Sequence, residues 1–113
     1  MTLMIREGLN FELYTHANPL QYKIYDEDKQ VGFVHLRWGN LTLHYPDIGE
    51  IEITMKVYDN DLLGEFPDLD EREEQLGRIA SLIREIMSTE KKHGPPSGWT
   101  WEIKSKLYDQ FKE

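Results

Sequence analysis

The spacing of apolar residues changes period once along this chain, near residue 60, and that change limits the fold more than any other feature. Over Gly49 to Asp59, Ile51, Ile53, Met55 and Val57 alternate with Glu50, Glu52, Thr54, Lys56 and Tyr58. Strict alternation marks a strand with one buried face. Beyond residue 60, Leu76, Ile79, Ala80, Ile83, Ile86 and Met87 recur at three and four residues, which is one face of a helix. The chain is therefore read as a sheet followed by helices.

Earlier segments repeat the alternating pattern. Leu41, Leu43 and Tyr45 share one side of a strand, as do Val34, Leu36 and Trp38. His35 and Arg37 then share the opposite side. Gly39-Asn40 lies between these runs and reads as a two-residue type II′ hairpin loop, because glycine supplies the positive φ. Leu20, Tyr22 and Ile24 form another inward set, followed by a turn at Asp26-Glu-Asp-Lys29. Keeping this set beside Val34 and Leu36 calls for a loop with an odd number of residues, since an even one reverses the faces. Leu9, Phe11 and Leu13 read as a first strand, with His16-Ala-Asn-Pro19 as its turn, while Thr2 to Arg6 either extends the sheet or frays.

The long helix has its own boundary signals. Asp68 or Asp70 caps its start, with Glu71 or Glu73 three residues on. Gly94 and two prolines stop it. Gly77 lies inside it and is expected to mark a close approach to the sheet. The last segment is ambiguous: Trp99, Trp101 and Ile103 alternate, whereas Ile103, Leu107 and Phe111 recur every four residues. The longer pattern favours a helix. The expected fold is α+β, a single domain over residues 1–113. An antiparallel β-meander of about five strands, over about residues 9–59, is covered on one face by helices over about 69–92 and 99–112.

Charge narrows the function classes. Residues 47–76 carry a net −9, against −1 before them and +2 after them. Direct nucleic-acid binding needs a cationic footprint, so it is not expected. An acidic block can attract a basic partner, and Glu73 and Glu74 are its candidate contacts. The plainer explanation is helical: carboxylates favour a helix start, and Lys91 and Lys92 suit its end. The chain has no cysteine, which excludes disulfides and thiolate metal sites. No apolar run is long enough for a membrane helix and no signal peptide is evident, so a cytoplasmic location is expected.

No phosphate loop, dinucleotide fingerprint, zincin motif or nucleophile elbow occurs, and no cofactor is expected. Asp59, Asp61, Gly64 and Asp70 partly match a calcium loop. Leu63 stands at its fifth position, however, and a strand rather than a helix precedes it. A better constellation comes from the hairpin. A Gly39-Asn40 loop places His35 directly opposite His44, with Glu50 or Glu52 beside His44 on the next strand. Two imidazoles and a carboxylate suit zinc or iron, so His35, His44 and Glu52 form the candidate metal site. The same row reads as an acid–base cluster, or simply as the polar face of a one-sided sheet. Tyr25, Val31 and Phe33 fall on that face too, and large residues there mark a candidate partner surface. The three tryptophans are expected to pack, Trp38 into the core and Trp99 and Trp101 against the body.

The leading expectation is a non-enzymatic acidic domain that binds another protein. Two alternatives stand beside it: a metal-binding or acid–base enzyme built on the histidine row, and an acidic nucleic-acid mimic or inhibitor. Oligomeric state is not legible.

Overall fold

The computed structural model describes residues 3–6, 8–15, 20–46, 51–58 and 66–112. Six strands follow one another and pair in sequence order, all antiparallel. They are β1 (Leu3–Arg6), β2 (Leu9–Thr15), β3 (Leu20–Asp26), β4 (Lys29–Arg37), β5 (Asn40–Tyr45) and β6 (Ile51–Lys56). Helix α1 (Leu69–His93), a 3-10 turn (Pro96–Gly98) and helix α2 (Trp101–Lys112) complete the chain. The architecture is the expected α+β meander, with Leu3–Arg6 extending the sheet as a sixth strand. No helix among the described residues is long and apolar enough to cross a membrane.

Both helices bury their apolar stripes against one face of the sheet. Leu76, Ile79, Ile83 and Ile86 of α1 and Leu107 of α2 join Phe11, Ile24, Leu36 and Leu43 in a common core. Met55 and Met87 lie at its margin, half-buried. Each fully buried Leu or Ile contributes about 1.5–3 kcal/mol over its exposed state, which explains why α1 docks despite a charged first turn. The side chain of Asp68 accepts the backbone N–H of Glu71 at 2.8 Å and so caps that turn. Gly94, at φ 81°, ends the helix. The ambiguous segment divides at Thr100. Trp99 is buried and its indole N–H donates to the Gly94 carbonyl at 2.8 Å; from Trp101 onward the chain is helical. The side chain of Phe111 lies outside what the structure describes.

Four expectations about the sheet and its packing need correction, and each has a local cause. The β3–β4 turn has two residues, Glu27-Asp28, not an odd number. Parity is restored by a β-bulge: Ile24 pairs with Gly32 and Tyr25 with Gln30, so Val31 is the extra residue. Val31 therefore turns inward and is 1% exposed, rather than lying on the polar face. Trp38 is not a core residue, since it occupies the β4–β5 turn and is 59% exposed; Trp101 is 71% exposed at the start of α2. The close approach of helix and sheet occurs at Gly32, not Gly77. A β-carbon on Gly32 would lie 3.0 Å from Ile83 Cδ1, whereas one on Gly77 would have no neighbour within 4 Å.

The turn expected at His16–Pro19 and most of the calcium-like segment (residues 59–65) lie outside the described residues.

Candidate functional site

The sheet face opposite the helices carries the site residues, and two cross-strand rows order them. One row reads Glu12, Lys23, Phe33, His44, Glu52 across β2 to β6. The next reads Gln21, His35, Thr42, Thr54 across β3 to β6. Thr42 and Thr54 share a hydroxyl hydrogen bond of 3.0 Å.

His35 and His44 are on one face, but they are not directly opposite. The β4–β5 loop is Trp38-Gly39, with φ of 54° and 75°. Positive φ at both central residues defines a type I′ turn, in place of the II′ turn expected at Gly39-Asn40. The pairing shifts by two residues: His35 faces Thr42 and His44 faces Phe33. A shift of two leaves every side chain on its own face, so the hydrophobic pattern does not distinguish the two registers. A tertiary contact accompanies the observed one: the Gly39 carbonyl accepts from the backbone N–H groups of Val57 and Tyr58, at 2.9 and 3.1 Å.

The imidazoles are now diagonal neighbours, and they still meet. Their Nε2 atoms are 3.4 Å apart and their rings are stacked, with centroids 5.4 Å apart. Phe33 stacks on the His44 ring at 5.9 Å and tilts against His35 at 6.2 Å. His44 is 8% exposed and His35 is half-buried. Burial is the main cause holding the His35 imidazole below its ordinary range; His44 and Arg37 act in the same direction and Glu52 opposes them. His35 Nδ1 is buried with no hydrogen-bond partner. Glu52, rather than Glu50, pairs with His44 across the β5–β6 ladder; Glu50 lies outside the described residues. Among the described residues, no group of three or more His, Asp or Glu side chains stands ready as a metal's ligand set.

The proposed partner residues are distributed differently. Phe33 is on the expected face but only 8% exposed, because Tyr14 meets its edge and the histidines cover its flank. Tyr14 is the aromatic presented to solvent, at 60% exposure. It is the extra residue of a second bulge, between Leu13 and Thr15, and Lys23 Nζ lies 4.5 Å from its ring centroid. Glu74 is exposed and Glu73 half-buried at the start of α1, where Arg72 lies 3.7 Å from the Glu73 carboxylate. Asp68 and Asp70 are exposed, and Glu71 is half-buried. Burial, followed by the neighbouring Glu71 carboxylate, pushes the Tyr58 phenol well above its usual range.

Tyr25 lines a concavity of about 280 Å³ with Asn10, Glu12, Glu27 and Asp28. Its floor is the Asn10–Tyr25 pair of β2 and β3, and its rim is the β3–β4 turn. Three carboxylates, an amide and a phenol surround a space that a cationic group with an apolar stem would fill. The acidic turn was visible in the sequence, but its meeting with Glu12 was not, because that needed the β2–β3 register. None of the described histidines lines this concavity, so the described residues form two separate constellations on one face. Compared with family models, curated proteins and solved structures, the chain finds no match.

Proposed function

We propose that this chain is a non-enzymatic binding domain whose open sheet face docks a partner protein, receiving a lysine or arginine side chain in the concavity between β2 and the β3–β4 turn. The observation that carries this reading is the concavity itself, lined by Glu12, Tyr25, Glu27 and Asp28. Its volume of about 280 Å³ is just below the roughly 300–1,000 Å³ typical of small-molecule sites, and suits one long side chain. Carboxylates supply charge complementarity, and the tyrosine face favours a cation. Ile5 lies in the same cross-strand row as Asn10 and Tyr25 and is 60% exposed. Together with Tyr14 it provides apolar area at the border of the charged centre, where it would exclude water from the ionic contact.

The acidic start of α1 is a weaker candidate, because capping and the helix dipole account for its charge. The test is binding of a fluorescent arginine-rich peptide to the full chain, measured by anisotropy at two salt concentrations. Saturable binding that weakens with salt is expected, together with at least a tenfold loss in the double variant Glu12→Lys, Asp28→Lys. Binding unchanged in that variant but lost in Glu73→Lys, Glu74→Lys would refute the assignment.

A further inference from the structure

We propose that His35 and His44 form a two-imidazole site for a zinc-class divalent ion, with Glu52 as the third ligand. The separation of the two Nε2 atoms admits a long N–H···N hydrogen bond and also suits a metal ion that both rings share. At 3.4 Å it is longer than the 2.7–3.2 Å of most N–H hydrogen bonds. A zinc ion bound to each nitrogen at about 2.0–2.1 Å with tetrahedral angles sets them roughly 3.3–3.4 Å apart. The rings already stand at the separation the ion requires.

The pair is also held in place. Phe33 stacks on His44 and leans on His35, so two rotamers that would otherwise be free are restricted before the ion arrives. Packing of this kind reduces the ordering cost of ligation. Both rings come from paired strands of the sheet rather than from loops. Glu52 lies directly across the ladder from His44, and it is exposed. Its carboxylate does not complete a ligand set as it stands, and it would join the ion only by turning its exposed side chain. A fourth position is left for water. Imidazole and carboxylate ligands with no thiolate suit Zn2+, and also Ni2+ or Cu2+, over Ca2+ or Mg2+. No ligand of this site lines the acidic concavity, so the two readings fail or succeed separately.

The test uses the full chain, stripped with EDTA and dialysed, and titrated with ZnCl2 while histidine ring signals are followed by NMR. The chain has four histidines. The rings of His35 and His44 are expected to shift together and saturate at one equivalent, with a rise in Tm. His93, exposed at the end of α1, is expected to stay unmoved. Glu52→Gln should weaken binding on the order of tenfold, and His35→Asn should abolish the saturable phase. His44→Asn is not needed for the decision, since His44 is buried and its replacement risks the fold. Shifts confined to His16 or His93, a saturable phase that survives His35→Asn, or the absence of any saturable shift would each overturn the site.

Discussion

Replacing Gly32 and Gly77 by alanine, one at a time, should change stability in opposite directions. A β-carbon on Gly32 meets Ile83 Cδ1 at 3.0 Å, Ile24 Cδ1 at 3.3 Å and Leu43 Cδ1 at 3.5 Å. All three of those side chains are fully buried, so none can swing into solvent, and the helix must lift or the rotamers strain. Overpacking of this kind costs about 1–3 kcal/mol. Removing glycine from a strand interior returns about 0.5–1 kcal/mol. The net expectation for Gly32→Ala is a loss of up to about 2.5 kcal/mol, centred on about 1 kcal/mol. Gly77 has an open position above it, so Gly77→Ala takes only the helix-propensity gain of about 0.5–1 kcal/mol. Urea denaturation is the assay. A changed midpoint at constant slope reports stability alone. A Gly32→Ala protein as stable as the wild type, or a destabilised Gly77→Ala protein, would refute the placement of α1 over β4.

Two further outcomes follow from the same packing and electrostatics. Ile83→Ala should cost about 2–5 kcal/mol, because Ile83 is 0% exposed at the centre of the helix–sheet contact; a loss under half a kcal/mol would place the wrong helix face inward. His35 is held below its ordinary range in the folded chain, so the unfolded chain binds its proton first as pH falls. Stability tied to His35 is therefore complete above the unfolded value near 6.5 and is lost as pH drops through the folded value. Measured without metal, Tm should fall more steeply below about pH 6.5 in the wild type than in His35→Asn; parallel curves would show that the ring does not sense the fold.

Period and parity were legible in the sequence, and absolute register was not. The alternation of Ile51 to Val57 and the helical spacing of Leu76 to Met87 reflect which faces are buried, and burial is what drives assembly. Parity also placed His35 and His44 together, since a one-residue slip would have exposed leucines. The two-residue shift of the β4–β5 hairpin has no such penalty. It follows from a turn with Trp38 in a left-handed conformation, which a bulky residue rarely adopts. The bulge at Val31 was hidden for a related reason: an even turn plus one extra residue leaves Val34 and Leu36 inward, as the odd loop would, and changes only where Val31 points. Trp38 and Trp101 show the limit of arguing from residue type, since their area suits a core and neither is buried. The acidic concavity joins Glu12 to Glu27 and Asp28, which are distant in sequence and adjacent only once β2 and β3 are aligned.

The claim that the sheet face opposite the helices is the binding face is tested most directly by backbone NMR mapping. The labelled full chain is titrated with an unlabelled arginine-rich peptide, and amide shifts are followed to saturation. The account predicts shifts centred on Asn10, Glu12, Tyr25, Glu27 and Asp28, extending to Tyr14, with the α1 residues from Leu76 to Ile86 unmoved. Shifts centred on Asp70 to Glu74 at the start of α1, or no saturable shift on the sheet, would contradict it.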